Sequence, residues 1–150
     1  MTEIVNRKAK FEYHLLQSFE AGLVLKGTEV KSLRLGQANM SDAWCVFEDD
    51  ELYIKQLHIS EYEHASASQH EAKGRRKLLL KKAELKKLER RVAVKGLTIV
   101  PYRIYFSDRG HAKCEIWLAQ GKKAFDKRNA IKERDVQRDV DRSLLQHGRK

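Results

Sequence analysis

The chain has 150 residues, of which 41% are hydrophobic and 35% charged, and its formal net charge is +10. A chain of this size typically forms one domain and can bury a core without disulfides or metal ions, which argues against a largely disordered or disulfide-dependent protein. The excess of cations favours a strongly anionic partner, nucleic acid ahead of an acidic membrane surface, and no apolar run approaches the roughly 20 residues that a bilayer span needs.

The N-terminal part of the chain predicts an arm followed by a strand. Residues 1–10 are polar and basic, and we expect them to form a flexible arm. They also lack the apolar core of a signal peptide, so we expect a cytoplasmic protein. The aliphatic and aromatic run 13–25 predicts a strand that is bent or bulged at Gly22.

A short helix is predicted next, in the sequence GTEVKSLRLG of residues 27–36. Thr28 is a good N-cap, and Gly36 is suited to a left-handed stop. Lys31 and Arg34 are three residues apart and therefore share one face of this helix.

The middle of the chain predicts a hairpin, a loop and a basic helix. The sequences DAWCVF and ELYIKQLHI flank the acidic turn EDD, residues 48–50, which indicates a β-hairpin. Residues 60–74 show no periodicity and are expected to form a long loop. Residues 75–96 carry leucines and valine at spacings of three and four with cations on the other faces, which predicts an amphipathic basic helix ending at Gly96.

Two further strands are predicted over residues 98–106 and 111–119, because apolar and polar side chains alternate in both and SDRG supplies a turn between them. Pro101 lacks a backbone donor and is expected at an edge or a bulge. The face opposite the core carries a mixture of cations and aromatic rings, namely Arg103, Tyr105, Lys113 and Trp117. Cys45 and Cys114 lie in strand-like segments and are expected to be free, buried thiols of a reducing cytosol.

The last 29 residues, 122–150, form a basic tail with ten Lys and Arg against five Asp and Glu. An apolar row repeats every four residues, and a basic row lies about 200° away from it around a helix. The members of these rows are Val136, Val140 and Leu144, and Arg134, Arg138 and Arg142. We expect the tail to be disordered until a partner templates an amphipathic helix. The short strands and few helices before it predict a mainly β fold, an antiparallel barrel of the OB type.

Metal binding and catalysis have little support in the sequence. His58, His64 and His70 are six residues apart, a spacing that matches no helical ligand pair, and no cysteine pair accompanies them. Glu29, Asp42 and Glu115 are carboxylates that could in principle hold magnesium for a nuclease, but nothing in the sequence brings them together. No P-loop, glycine fingerprint or nucleophile motif is present, so we expect no cofactor and no enzyme activity.

RNA is the favoured partner. Cations recur at the N-terminus, on the first helix, over residues 75–91 and in the tail, and exposed aromatic rings accompany two of these clusters. Cations bind phosphates and rings stack on unpaired bases. Nothing resembles a recognition helix for the DNA major groove, whereas an aromatic barrel face suits folded or single-stranded RNA. A structural ribosomal or ribosome-assembly protein and a metal-dependent RNase are the alternatives.

Four segments, GLVLKGTEVKSLR, RRKLLL, LTIVPYRIYF and GKKAFDKRNAIKERD, occur in the order and spacing of the bacterial SsrA-binding protein family, SmpB. The resemblance covers the chain from Asn6 to about Arg142. It implies an OB-type barrel that binds the tRNA-like domain of transfer-messenger RNA (tmRNA) and enters stalled ribosomes together with elongation factor Tu. It further implies that the tail becomes helical in the decoding centre and the message channel of the small subunit. Peptide tagging and ribosome rescue follow, without catalytic residues in the protein.

By position, the resemblance implies two sets of contact residues and a division into a barrel, 1–121, and a tail, 122–150. The tmRNA-facing set is Asn6, Arg7, Lys8, Glu29, Lys31, Arg34, Arg76 and Lys77. Glu29 would accept hydrogen bonds from base amino groups or ribose hydroxyls, or it would order a neighbouring cation. A third possibility is that it is simply an acid at a helix start. The ribosome-facing set is Lys122, Lys123, Phe125, Asp126, Lys127, Arg128, Lys132, Arg134, Arg138 and Arg142. Phe125 stands where the family commonly has Tyr or His, Val136 where it has Trp, and HEAKG precedes RRKLLL in place of a proline-containing segment.

Overall fold

A computed structural model of the chain describes residues 3–62, 69–94 and 96–122. Within these ranges the elements follow in chain order: β1 (Ile4–Val5), α1 (Ala9–Glu12), β2 (Tyr13–Leu23), α2 (Gly27–Arg34), β3 (Ala38–Asn39), β4 (Trp44–Glu48), β5 (Glu51–Lys55), β6 (His58–Ile59), β7 (Arg76–Leu79), α3 (Lys82–Val92), β8 (Leu97–Phe106) and β9 (Ala112–Gly121).

Six of these strands close into an antiparallel barrel. The hydrogen-bonded order β8-β4-β5-β7-β2-β9 returns to its start, because β9 pairs with β8 as well as with β2. Closure removes the open sheet edges. The interior of the barrel is filled by inward-facing side chains that are almost fully buried, among them Leu52, Ile54, Leu78, Ile104, Cys114, Ile116 and Leu118. The prediction of a mainly β, antiparallel fold is confirmed, and the closed strand order agrees with the predicted barrel.

The long hairpin of β8 and β9 also forms as predicted. Its turn places Gly110 at a φ of 83°, which is the left-handed region that favours glycine. The register of the pair shifts between Pro101 and Arg103, so the proline lies at a bulge. The acidic turn of the β4–β5 hairpin places both Asp49 and Asp50 at positive φ, as a tight two-residue connection requires.

The irregularity predicted at Gly22 in the strand over 13–25 is wrong in position. The register of β2 against β9 shifts between Leu15 and Gln17, whereas Gly22 lies in the regular part and pairs with both Lys113 and Leu79. A Cβ atom at Gly22 would lie 3.3 Å from the Cβ of Leu79. The glycine therefore permits the close approach of β7 rather than a bend.

The helix predicted over residues 75–96 is wrong in its first part. Arg76–Leu79 form β7 between β5 and β2, because Leu78 is needed in the barrel core while its neighbours point outward. The helical spacing of the leucines begins only afterwards, and α3 ends at Val92 instead of Gly96. Leu88 is fully buried, and α3 packs on β8 and β9.

The predicted flexible arm is also corrected for the residues that are described, 3–10. Ile4 and Val5 pair with Ile104 and Arg103 of β8, which makes β1 an extra strand beside the barrel. The backbone N–H of Asn6 continues the attachment with a 2.7 Å hydrogen bond to the carbonyl of Tyr102. The cations of this segment are thus held on the barrel surface.

Candidate RNA interface

Helix α2 presents the first cationic surface. Its N-cap is Lys26 rather than the predicted Thr28, and the backbone N–H of Lys26 donates a 2.8 Å hydrogen bond to Oε1 of Glu29. Gly36, at a φ of 74°, follows the helix end as predicted. Lys31 and Arg34 are both exposed, as their shared face requires.

Each of these two cations lies over an aromatic ring. The Lys31 ammonium is 5.4 Å from the centre of the Tyr62 ring, and the Arg34 guanidinium is 4.2 Å from that of Phe106. Such contacts hold long side chains over the protein surface while the charge stays accessible to water or phosphate. The pair therefore forms a fixed cationic face.

Glu29 and Arg76 do not lie on this face. Their side chains are 6% and 3% exposed, and Nε of Arg76 donates to Oε2 of Glu29 at 2.5 Å. The remaining guanidinium nitrogens donate to backbone carbonyls, Nη1 to Leu57 and Nη2 to Glu71 at 2.9 Å and Ala72 at 3.2 Å. Of the alternatives for Glu29, the structure shows an acid that orders a neighbouring arginine and closes the helix start.

The N-terminal members of the predicted tmRNA set are split between interior and surface. Asn6 is 7% exposed, and its Nδ2 donates a 3.0 Å hydrogen bond to the carbonyl of Pro101 at the β8 bulge. Arg7 and Lys8 follow it in the exposed turn before α1.

Lys77 is half-buried on β7, with its ammonium 3.8 Å from Glu51. Surface cations among the eight predicted residues are therefore Arg7, Lys8, Lys31, Arg34 and Lys77.

The outer face of β8 and β9 carries a second, aromatic surface, as the alternation predicted. Glu115 organises it, because Oε1 accepts from Nε of Arg103 at 2.9 Å and Oε2 accepts from Nε1 of Trp117 at 2.7 Å. The Arg103 guanidinium in turn lies 4.5 Å from the centre of the Tyr105 ring. The hydrogen bond to Glu115 raises the pKa of Arg103, which stays cationic.

Glu20 of β2 completes this face and was missed by the sequence reasoning. Its Oε2 accepts a hydrogen bond from the Tyr105 hydroxyl. Burial and this hydrogen bond together raise the pKa of Tyr105 to about 12. The signal available in the sequence was its outward position in a strand that pairs with β9, but the partner strand could not be known without the register.

The comparisons with known proteins agree with this arrangement. The model of the SmpB protein family matches residues 3–146. The chain belongs to the SmpB protein family. The SsrA-binding protein of Cytophaga hutchinsonii is 50% identical over 139 residues, which cover 93% of this chain and 91% of that protein. The SsrA-binding protein of Flavobacterium psychrophilum is also 50% identical over 139 residues, with 93% of each chain covered.

A solved SmpB-family structure matches the fold as well as the sequence. That structure is described as "tmRNA-SmpB: a journey to the center of the bacterial ribosome". The TM-score is 0.69 at 48% sequence identity, and the match covers 83% of this chain and 87% of that chain. This chain therefore shares its fold with that structure.

Lys122, the last residue that the structure describes in this SmpB family member, is bonded to α1. The backbone N–H of Lys122 donates a 2.9 Å hydrogen bond to the carbonyl of Glu12, and its Nζ donates to the carbonyl of Lys10 at 3.2 Å. The other predicted ribosome-facing residues lie outside the described ones: Lys123, Phe125, Asp126, Lys127, Arg128, Lys132, Arg134, Arg138 and Arg142.

Neither a metal site nor a membrane span was found in residues 3–62, 69–94 and 96–122. No group of three or more His, Cys, Asp or Glu side chains is placed there to hold a metal ion. Glu29 and Glu115 are engaged by different arginines, Arg76 and Arg103. His58 lies in β6, His70 is buried, and His64 is outside the described residues. No helix in the same ranges is long and apolar enough to cross a membrane.

Proposed function

We propose that the chain is a tmRNA-binding adaptor for trans-translation, which acts on stalled ribosomes and makes or breaks no bonds itself. The observation that carries this proposal is the match to the SmpB family over residues 3–146, together with the shared fold of the tmRNA-SmpB chain at 48% identity. The relatives are named SsrA-binding proteins, and the net charge of +10 supports a polyanionic partner for this chain.

The barrel supplies the contacts to tmRNA in this proposal. Arg7, Lys8, Lys31, Arg34 and Lys77 bind phosphates of the tRNA-like domain, because they are cations on the surface of a rigid scaffold. The outer face of β8 and β9 adds Trp117 and Tyr105 as platforms for unpaired bases, with Arg103 beside them. Asn6, Glu29 and Arg76 support these surfaces from within.

The tail supplies the contacts to the ribosome. With a net charge of +5 over residues 122–150, it binds small-subunit RNA in the decoding centre and the message channel, and Phe125 stacks on a ribosomal base. Two polyanions are thereby held by one chain, tmRNA by the barrel and ribosomal RNA by the tail. Elongation factor Tu accompanies the complex during delivery, and the protein works in the cytoplasm.

Capture of the protein from cells, followed by sequencing of the bound RNA, tests this proposal. We expect tmRNA to be the most enriched RNA, and we expect the double variant Lys31→Glu/Arg34→Glu to lose most of that enrichment. If ribosomal RNA is recovered instead and the protein stays on translating ribosomes through high-salt washing, the chain is a structural ribosomal protein. Cleavage of labelled RNA by the purified protein with magnesium would favour a metal-dependent RNase.

A further inference from the structure

His70 is a buried histidine whose two ring nitrogens both have partners. It is 3% exposed, with Nδ1 2.8 Å from the hydroxyl oxygen of Thr28 and Nε2 2.9 Å from the carbonyl oxygen of Ile59. A carbonyl only accepts, so Nε2–H is the donor to Ile59, and in the neutral ring the Thr28 hydroxyl donates to Nδ1. The histidine thus joins segment 69–75 to the first turn of α2 and to β6.

Arg76 joins the same three parts of the fold by separate bonds. Its guanidinium binds Glu29 in α2, the carbonyl of Leu57 before β6, and the carbonyls of Glu71 and Ala72 in segment 69–75. Thr28 and Glu29 are neighbours in sequence, so His70 and Arg76 bind the same turn of α2 independently. We call Thr28, Glu29, His70 and Arg76 the α2 clamp.

Three of the four clamp residues, Glu29, His70 and Arg76, are buried polar groups, and such groups are not needed for stability alone. Apolar side chains of similar volume are often as stabilising as a buried ion pair, whereas a polar network accepts one arrangement of its parts. The arrangement that is fixed here is that of the cationic face, because Lys31 and Arg34 lie one and two turns after Thr28 on the same short helix. The ring of Tyr62 beneath the Lys31 ammonium belongs to the chain that follows β6.

We propose that the residues of the α2 clamp are positioning residues for RNA binding, which aim Lys31 and Arg34 at the RNA backbone without touching it. This inference rests on the proposed function, since it assigns a role within the tmRNA-binding surface. It also changes the role of Glu29 and Arg76, whose side chains have almost no exposed surface and whose polar atoms are already bonded to protein.

Positioning and contact differ in their dependence on salt. Each phosphate contact that is lost flattens the slope of log affinity against log salt concentration by roughly 0.7 to 0.9. A lost positioning residue lowers the affinity at every salt concentration and leaves the slope close to that of the wild type, because the same cations still bind.

The test measures the affinity of full-length variants for the transcribed tRNA-like domain of tmRNA over a range of salt. Thr28→Val keeps the volume of the side chain but removes the hydroxyl, and we expect about tenfold weaker binding with an unchanged slope. Thr28→Ser keeps the hydroxyl and is expected to restore affinity. Arg76→Lys keeps the charge but not the fan of hydrogen bonds, so it is expected to weaken binding similarly with the slope unchanged. Lys31→Ala is the contact control and is expected to flatten the slope.

Thermal unfolding of each variant is recorded so that binding is compared only where the protein is folded. If Thr28→Val lowers the melting temperature yet binds as tightly as Thr28→Ser, the clamp is merely structural and the inference fails. The inference also fails if Arg76→Lys binds like the wild type, or if Thr28→Val flattens the slope as Lys31→Ala does. A wild-type protein that does not bind this RNA refutes the proposed function itself, and the inference with it.

Discussion

Oε2 of Glu115 accepts a 2.7 Å hydrogen bond from Nε1 of Trp117, so the indole is held in a fixed orientation on the outer face of β9. The other carboxylate oxygen binds Nε of Arg103 at 2.9 Å, which places a cation next to the ring. A glutamate on the surface that we propose binds RNA is thus explained by the two side chains that it orders. Its negative charge is balanced by Arg103 rather than directed at phosphate.

The fixed indole leads to a prediction about stacking. If an unpaired base stacks on Trp117, Trp117→Ala lowers RNA affinity by about 1–3 kcal/mol, and Trp117→Phe retains most of the binding. The chain has two tryptophans, so Trp44→Phe leaves Trp117 as the single indole emitter. We expect its fluorescence to be quenched when the tRNA-like domain is added.

Trp44 is the control because it is a tryptophan on β4 rather than on β8 or β9; it is 45% exposed, whereas Trp117 is half-buried. Trp44→Ala is expected to leave the affinity unchanged. Equal losses for both alanine variants would contradict a specific stacking site on β9.

The raised pKa of Tyr105 predicts a loss of stability at alkaline pH. Burial and the hydrogen bond to Glu20 raise this pKa from 10.0 to about 12, so the folded state favours the neutral phenol. A group whose pKa is raised on folding contributes stability that is fully present below its unfolded pKa and lost as pH rises through the folded one. The contribution of Tyr105 is therefore complete below pH 10 and disappears towards pH 12.

Urea unfolding of the wild type and of Tyr105→Phe measures this contribution. We expect the difference between their free energies of unfolding to shrink between about pH 9 and pH 12, since only the wild type loses a proton at this position. A difference that stays constant over this range would show that folding does not change the pKa of the Tyr105 hydroxyl.

The barrel was predictable because its strands carry the signal locally. The alternation in β8 and β9 and the glycine in their turn depend on neighbours in sequence, and the outer face with Trp117 followed directly. β7 was not predictable in the same way, because RRKLLLKKAEL has a helical composition throughout. Only the gap between β5 and β2 requires Arg76–Leu79 to be extended.

In the candidate site, too, the features that depend on neighbours in sequence were predictable, and those that depend on tertiary packing were not. Lys31 and Arg34 were predicted to share a face because helix geometry fixes it, and the structure confirms it. The burial of Arg76 depends on an acid 47 residues away, and a distance of that kind is set by tertiary packing. An arginine in a basic cluster looks like a phosphate ligand until its acceptors are known.

The buried ion pair predicts strong coupling in stability. Arg76→Met removes the partner of a carboxylate that is 6% exposed, so the free energy of unfolding should fall by about 3–5 kcal/mol. In the double variant Glu29→Gln/Arg76→Met no charge is stranded, and we expect it to be more stable than Arg76→Met alone. Urea unfolding of the four members of the cycle gives the coupling energy, and additive losses would contradict a paired Glu29.

The two cysteines are predicted to be unreactive in the folded protein. Cys45 and Cys114 are buried free thiols, and burial raises the pKa of both, that of Cys114 to about 12. Since the thiolate is the reactive form, we expect a disulfide reagent to modify neither at neutral pH, and to modify both after denaturation. Rapid modification of one thiol in the native protein would reveal an opening of the barrel near that residue.

The attachment of the tail predicts that binding and tagging are separable. Lys122 is bonded to α1 through Glu12 and Lys10, so a chain that ends at this residue keeps the barrel and both of the surfaces proposed to bind RNA. Deletion of residues 123–150 should leave the affinity for the tRNA-like domain within about twofold, with a salt slope close to that of the full chain if the tail contacts no tmRNA phosphate. The same deletion should abolish peptide tagging in a reconstituted translation reaction on a message without a stop codon.

Substitution of Lys123, Lys127 and Arg128 by alanine in the full-length chain is the finer variant, and it is expected to reduce tagging without weakening tmRNA binding. Loss of tmRNA binding on truncation would show that the barrel and the tail do not divide the two RNAs between them.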